Sequence, residues 1–217
     1  GQDTLAHYLG RGAFDYRKNL DAVLVGHRYN LLPMPLHINV GQATATGARP
    51  QNEDYLGWVT PEAAMAQVKG MLLAVADGVG GSSGGREAAE YAVRGLISDY
   101  YATPDTWEVP FAVDKILLAV NRWLHSQAQS RREVGGMATT LSAAIFRGRR
   151  YYSAHIGDTR IYRLRGERLQ QLSTDHVWDR PDMRHVLKRA LGLDDYLVVD
   201  YAEGDLAVGD VFCLASD

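Results

Sequence analysis

The chain has 217 residues, a formal net charge of -3 and 46% hydrophobic residues, enough for one domain with a sizeable core or two small ones. The slight acidity and the lack of a long basic run argue against a nucleic-acid-binding protein. No apolar stretch approaches the ~20 residues that span a bilayer, and residues 1–10 lack a signal-peptide pattern. The single cysteine excludes an intramolecular disulfide. We therefore expect a soluble, cytoplasmic monomer that binds neither nucleic acid nor membranes.

The first part of the chain carries little pattern. Residues 1–36 are interpreted as an N-terminal extension of unknown role, with a short strand at Ala22–Val25. From Leu36 to Val40 apolar and polar residues alternate, which predicts a half-buried strand, and Tyr55–Val59 is predicted as the next strand. Residues 61–69 form a helical or loop insertion.

The most informative stretch is Met71–Gly85. Its apolar run Leu72–Ala76 predicts a strand buried on both faces, and Asp77 and a glycine-rich loop follow it. A carboxylate at the end of a rigid strand, beside open backbone, is well placed to hold a metal ion or a phosphate. The alternative is an ordinary strand–turn–helix link in which Asp77 caps the helix.

In the rest of the chain the spacing of the apolar residues changes twice, from helical to strand-like and back. Two amphipathic helices are predicted at residues 86–101 and 111–129, because apolar residues recur there at helical spacing. Short β-rich segments separated by turn residues then predict an antiparallel meander. The remaining predicted elements are a helix at Met183–Ala190, ended by Gly192, and strands at Leu197–Tyr201 and Val211–Ala215. This order predicts an α+β domain with helices layered on antiparallel sheets.

Acidic residues occur at four predicted strand ends or turns. They are Glu53 with Asp54, Asp77, Asp158 and Asp217. Carboxylates are the ligands that Mg²⁺ or Mn²⁺ prefers, whereas the histidines show no i, i+4 pair and no cysteine partner for zinc. Each single aspartate has the ordinary alternative of a turn or cap residue.

Six short motifs occur in the order found in one enzyme family. They are Arg49-Pro-Gln-Asn-Glu-Asp54, Ala76-Asp-Gly-Val-Gly-Gly81, Gly136-Met-Ala-Thr-Thr-Leu141, Gly157-Asp-Thr-Arg160, Thr174-Asp-His176 and Leu214-Ala-Ser-Asp217. With them the chain resembles type-2C metal-dependent protein phosphatases, and in particular the bacterial members. The resemblance implies a four-layer α-β-β-α sandwich, in which two antiparallel sheets are flanked by helices, and assigns residues 37–217 to the phosphatase domain.

The resemblance also implies roles for individual residues. Asp77 would bridge two metal ions, the carbonyl of Gly78 would bind one of them, and Asp217 would ligate the second. Glu53 and Asp54 would hold metal-bound waters, and Asp158 would match a weaker third metal position. Arg49 would bind the phosphate, since a guanidinium can hydrogen-bond two phosphate oxygens at once.

The implied reaction is hydrolysis of phosphoserine and phosphothreonine in proteins by direct attack of a hydroxide that bridges two Mn²⁺ or Mg²⁺ ions. The implied partners are phosphorylated proteins and a cognate serine/threonine kinase. Two alternatives stay open: a phosphatase-like regulatory or phosphoprotein-binding domain with weak catalysis, and a metal-dependent hydrolase of small phosphoesters.

The chain departs from the family pattern at several points. Val79 follows the Asp-Gly pair where many eukaryotic members carry a histidine, and the chain ends at Asp217, before the family's closing Asp-Asn strand and its further aspartate ligand. Few residues separate His176 from Met183, where bacterial members usually carry a mobile helical flap, so either the flap is reduced or residues of it are missing from this sequence. We interpret His155 and His176 as structural hydrogen-bonding residues.

Overall fold

A computed structural model describes residues 22–28 (backbone alone), 36–79, 83–130, 136–180, 182–183 and 186–216. The strands in these ranges are β1 (Ala22–Arg28), β2 (His37–Ala43), β3 (Asp54–Val59), β4 (Met71–Val79), β5 (Ala138–Thr139), β6 (Leu141–Arg147), β7 (Arg150–Ile156), β8 (Arg160–Arg165), β9 (Arg168–Gln171), β10 (Asp200–Asp205) and β11 (Val211–Ala215). The helices are α1 (Ala63–Val68), α2 (Ser83–Ala102) and α3 (Val109–Ser130). None of the helices described is both long enough and apolar enough to cross a bilayer.

The strands form two antiparallel sheets. One sheet has the order β2-β1-β11-β8-β9, and the other has the order β10-β7-β6-β4-β3 with the short β5 paired to β4. An apolar cluster that includes Leu73 and Val75 of β4 and Phe212 and Leu214 of β11 packs between them. The predicted α+β architecture of two antiparallel sheets with helices is therefore confirmed.

Strand β4 contributes to two cores because it is buried on both faces, as predicted. Met71, Leu73 and Val75 point toward the other sheet, whereas Leu72, Ala74 and Ala76 point toward the helices. Successive side chains of a strand alternate between its faces, so one strand joins both apolar layers.

Helices α2 and α3 lie on the outer face of the six-stranded sheet. Small residues such as Ala88, Ala89 and Ala92 are fully buried there and let α2 approach the sheet closely. Gly57 in β3 has the same effect, since a Cβ at this position would lie 2.9 Å from Val93 Cγ1. In the described part of the chain no helix covers the outer face of the five-stranded sheet, so the fourth predicted layer stays a prediction.

Residues 22–28 belong to the segment interpreted as an N-terminal extension. Their backbone pairs antiparallel with both β2 and β11, which places β1 inside the five-stranded sheet. The short strand predicted at Ala22–Val25 is confirmed and is longer than expected. Residues 1–21 and 29–35 lie outside the described residues, and the division into extension and domain stays a prediction.

The predicted helix at Met183–Ala190 is wrong for its described residues. Trp178 N–H donates to Val186 O, Lys188 N–H donates to His176 O, and Leu191 pairs with Thr139. Backbone pairing with residues 176–178 and with Thr139 replaces helical bonds that are marginal in so short a segment. Gly192 does adopt the predicted positive φ, at 83°, but in a turn. The strand predicted at Leu197–Tyr201 also begins later, at Asp200, and ends at Asp205.

Candidate active site

The core of the site is a pair of aspartates at one end of the sandwich. Asp54, the first residue of β3, is the direct register partner of Asp77 in β4. Residues opposite each other in an antiparallel ladder point to the same face, and here this is the face shared with Leu56 and Val75, toward the other sheet. The two partly buried carboxylates therefore project from adjacent strands toward the same face, between the sheets.

The five-stranded sheet reaches this pair through the residue after β11. Ser216 Oγ donates a hydrogen bond of 2.9 Å to Asp54 Oδ2. Asp217, the predicted second metal ligand, is the next residue in the chain and lies outside the described residues. The last described residue before it nevertheless brings this end of β11 to the acidic pair.

Two threonines fix the backbone of Asp77. Thr140 Oγ1 accepts a hydrogen bond of 2.9 Å from Asp77 N–H, and Thr140 N–H donates one of 2.9 Å to Asp77 O. Thr139 Oγ1 donates a further bond of 2.8 Å to the same carbonyl. Asp77 thus sits on a rigid support, which a residue that binds a cation requires.

Asp158 lies in the turn between β7 and β8, beside Thr140. Gly157, the residue before it, has a φ of 108°, and a Cβ there would lie 2.5 Å from Thr140 Cβ. Only glycine combines this φ with so close an approach. The turn that carries Asp158 therefore packs on the threonine that holds Asp77.

The loop before β3 carries the other predicted site residues. Asn52 Oδ1 accepts from Asp54 N–H at 2.9 Å, and Arg86 of α2 donates to Asn52 O at 2.7 Å. The carbonyl of Glu53 accepts from Gly78 N–H at 3.2 Å. Arg49 is exposed on the turn that leads into this loop, and its guanidinium makes no hydrogen bond or ion pair with the described part of the chain.

Gly78 and Gly85 allow the start of α2 to cross closely over the end of β4. A Cβ at Gly78 would overlap the carbonyl group of Gly85, and one at Gly85 would lie 3.0 Å from Gly78 C. This contact brings the N-terminal part of α2 next to the Asp77 backbone. Residues 80–82 lie outside the described residues.

The donor set fits a hard divalent cation. Asp54 and Asp77 offer oxygen ligands from opposite strands, and two like charges directly opposite each other are unfavourable without a cation between them. Within residues 36–79, 83–130, 136–180, 182–183 and 186–216, no three His, Cys, Asp or Glu side chains lie close enough together to form a metal site. The third predicted ligand of the cluster, Asp217, is beyond these ranges.

Two histidines lie behind the Asp158 turn and support it. His155 Nδ1 lies 2.9 Å from Ser142 Oγ, and His155 Nε2 lies 3.1 Å from Thr174 O. Because a carbonyl only accepts, Nε2 carries the proton and Nδ1 accepts from the serine. Burial, and after it the neighbouring His176, lower the pKa of the His155 imidazole to about 4.

Arg160 is close to the site in sequence, but its guanidinium is already engaged. It forms hydrogen bonds of 2.6 to 3.0 Å with the Asp175 carboxylate. These bonds raise the pKa of Arg160 further above its ordinary value. Arg160 is therefore an anchor for the 173–176 loop, which agrees with its omission from the predicted phosphate ligands.

Three supporting residues have roles that the sequence analysis did not predict. Thr140 and Ser216 lie inside the quoted motifs, and Arg86 lies at the start of the predicted helix. The signal that could have indicated them is a hydroxyl or guanidinium next to a predicted acidic ligand. Their partners are distant in sequence, at separations of 63 residues for Thr140, 162 for Ser216 and 34 for Arg86.

Comparison with known proteins identifies the family. Residues 46–186 match the family model described as protein phosphatase 2C. The serine/threonine phosphatase stp of Listeria innocua is 32% identical over 165 residues, which cover 67% of this chain and 65% of that protein. The chain thus spans about two thirds of the length of this relative.

Solved structures agree with the family match. PppA of Pseudomonas aeruginosa is 30% identical with a TM-score of 0.64, over 77% of this chain and 71% of that one. The catalytic domain of the serine/threonine protein phosphatase PstP, solved in complex with two manganese ions, is 25% identical with a TM-score of 0.61, over 89% of this chain and 77% of that one. The order of the motifs, the paired aspartates and these matches together show that the chain belongs to the protein phosphatase 2C family.

Proposed function

We propose that this chain is a metal-dependent serine/threonine protein phosphatase that hydrolyses phosphoserine and phosphothreonine. The observation that carries the proposal is the direct opposition of Asp54 and Asp77 between the two sheets. The relatives named as serine/threonine phosphatases support this activity over a phosphoprotein-binding role without turnover.

The proposed cofactor is Mn²⁺ or Mg²⁺. Asp77 would hold two ions, with Gly78 O and Asp217 as further ligands, Glu53 and Asp54 around bound water, and Asp158 at a weaker third position. The two manganese ions in the PstP structure and the oxygen-only donor set support this assignment. When bound, the ions supply positive charge for the phosphate oxygens and activate water for in-line attack.

The chain's own residues would orient the substrate and hold the charged groups in place. Arg49 is exposed and without a partner in the described part of the chain, so its guanidinium can pair with two phosphate oxygens. Thr139 and Thr140 prevent the Asp77 backbone from moving. Protonation of the leaving oxygen would fall to water, because the side chain after Gly78 is Val79.

The partners follow from this activity. The substrates would be phosphorylated proteins, and a serine/threonine kinase would supply them. A monomeric state, a cytoplasmic location and the absence of nucleic-acid and membrane binding stay predictions.

The test is hydrolysis of a phosphothreonine peptide and of an aryl phosphate by the complete chain, with Mn²⁺, with Mg²⁺ and with a chelator. Asp77→Asn should lower turnover by more than about 100-fold, since even the partners of metal ligands contribute 10- to 100-fold. Asp195→Asn, at an exposed turn position, is the matched control. Peptide binding without metal-dependent turnover would reject the proposal, and turnover of the aryl phosphate alone would indicate a small-molecule esterase.

A further inference from the structure

The loop at residues 174–176 is held at three successive residues beside the Asp158 turn. Thr174 O accepts from His155, the Asp175 carboxylate is bound by Arg160, and His176 contacts Gly157. Within the described residues, this loop contacts the backbone next to Asp158 through the titratable side chain of His176. The loop can therefore influence the position of Asp158.

His176 binds Gly157 at two points. The backbone N–H of His176 donates to Gly157 O at 2.7 Å, and Gly157 N–H donates to His176 Nδ1 at 3.1 Å. Both hydrogen-bonding groups of Gly157 are thus used by one residue. Gly157 has a φ of 108°, so these two bonds act on the residue at which the chain turns toward Asp158.

The contact requires one tautomer of the imidazole. Nδ1 must be unprotonated to accept from Gly157 N–H, so the ring proton lies on Nε2. His176 Nε2 donates to Asp200 Oδ2 at 3.0 Å, and Asp200 Oδ1 accepts from Arg189 at 3.1 Å. Partial burial alone raises the pKa of Asp200, but the bond from His176 and the charge of Arg189 keep this pKa below its ordinary value, so the carboxylate remains an acceptor.

From these contacts we infer that Asp200 and His176 are positioning residues for Asp158. Asp200 holds His176 in the Nε2–H tautomer, and His176 fixes the Gly157 backbone so that the Asp158 carboxylate is aimed at the weaker divalent-ion position. This inference rests on the proposed function, because it assigns Asp158 a bound ion. Hydrogen bonds outside the ligand set that fix the orientation of a ligand are a known way to tune metal affinity.

Loss of Asp200 has a defined consequence. Without the carboxylate, the Nε2–H tautomer loses its acceptor, and the Nδ1–H tautomer becomes competitive. A proton on Nδ1 points at Gly157 N–H, another donor, so this contact breaks. The turn then loses one of its two bonds to His176, and Asp158 is less well fixed.

The experiment compares Asp200→Ala with Glu203→Ala. Glu203 lies on the same strand and also forms an arginine ion pair, with Arg150 at 2.8 Å, but it has no contact with the 174–176 loop among the described residues. Mn²⁺ binding is measured by calorimetry on the complete chain. We expect Asp200→Ala to weaken the weakest class of bound Mn²⁺ by roughly tenfold while the tighter classes change less than twofold, and Glu203→Ala to change neither.

A second measurement does not depend on the metal. The ¹⁵N chemical shifts of the His176 ring should show the Nε2–H tautomer in the wild type and its loss in Asp200→Ala. Asp200→Asn, which retains one acceptor oxygen, should lie between the two in both measurements.

The outcomes separate the two hypotheses. A wild-type chain that binds no Mn²⁺ overturns the proposed function and this inference with it. A wild type that binds Mn²⁺ while Asp200→Ala behaves like Glu203→Ala, or that has only a tight class of ions, overturns this inference alone.

Discussion

The two ends of strand β4 differ in the way their charged groups are accommodated. At its start, Lys69 Nζ donates to Thr103 O, Thr103 Oγ1 and Pro104 O at 2.7, 2.9 and 2.9 Å. Tyr100 OH donates to Lys69 O at 2.7 Å. At its end, Asp77 and Asp54 place two carboxylates directly opposite each other. One end has a cation whose donors are matched by acceptors, and the other has two anions in register.

The two ends of β4 serve different purposes. The Lys69 end stabilises the fold, and the Asp77 end provides the proposed metal site. This lysine network, formed by Lys69, Tyr100, Thr103 and Pro104, joins the end of α2 to the segment that leads into β4. It is complete without any ligand. The opposed aspartates are unfavourable by themselves and become favourable when a cation lies between them. One buried strand can have the lysine network at one end and the opposed aspartates at the other, because its rigid apolar centre separates the two groups.

Lys69→Met should produce the largest change in the free energy of unfolding and no change in catalytic turnover. Methionine fills the space but removes the three hydrogen bonds of the buried Lys69 ammonium, each of which contributes about 1 kcal/mol. We therefore expect urea denaturation to show a loss of about 3 kcal/mol. Turnover per folded molecule should stay within twofold of the wild type.

Lys115→Met is the control for this prediction. Lys115 is half exposed, and its ion pair with Asp114 has an N–O distance of 3.8 Å, so its loss should change the unfolding free energy by less than about 1 kcal/mol. Equal effects of the two substitutions would mean that the lysine network at the start of β4 does not hold the fold.

The surroundings of the acidic end of β4 should also make the stability of the protein depend on pH, through His155. His155 has a folded-state pKa of about 4 against an ordinary value of 6.5. Above pH 6.5 it is neutral in both states and has no effect. Between pH 6.5 and 4 the unfolded chain takes up a proton that the folded one does not, so stability falls as the pH is lowered. The total loss at low pH should be about 3 kcal/mol.

Unfolding measured from pH 7.5 to 4 tests this dependence. His155→Gln should have a lower stability at neutral pH and a flatter profile, whereas His37→Gln, changed at an exposed strand position, should keep the wild-type profile. A wild-type profile as flat as that of His155→Gln would show that burial of this ring does not disfavour its charged form.

The contrast between the ends also explains what the sequence could predict. The apolar run of β4, the helical spacing of α2 and α3 and the turn residues of the meander are local patterns, and the elements they predict are present. The motifs indicated Asp54 and Asp77 as site residues, but their direct opposition depends on the pairing of β3 with β4, which the sequence analysis did not predict. The helix predicted at Met183–Ala190 failed because His176 and Trp178, from the segment just before it, supply the backbone partners of Lys188 and Val186.

Contacts between side chains from distant segments were the least predictable. No periodicity indicates that Ser216 donates to Asp54 or that His176 binds Gly157, since these bonds depend on how two sheets and a loop meet. The lysine network at the start of β4 was likewise absent from the sequence interpretation. A buried lysine gives no signal in an amphipathic pattern, and its acceptors lie 34 and 35 residues away.

Of these substitutions, controls aside, Ser216→Ala should have the smallest effect on stability. It tests whether a hydroxyl beside Asp54 contributes to metal binding at the acidic end of β4. The Ser216 hydroxyl donates to the Asp54 carboxylate at 2.9 Å, and removal of a hydrogen bond to a charged group costs about 1–2 kcal/mol. Because Asp54 is the proposed support for metal-bound water, the Mn²⁺ concentration at half-maximal activity should also rise, by roughly threefold if about half of that energy is lost on metal binding. Ser153→Ala is the matched control, because Ser153 is a buried serine whose hydroxyl donates to Ala202 O at 3.3 Å, away from the aspartates. It should lower stability by about 1 kcal/mol and leave the Mn²⁺ midpoint unchanged. If both variants shift the Mn²⁺ midpoint equally, the metal dependence reflects general stability, and the hydroxyl beside Asp54 has no specific role in the acidic end of the sandwich.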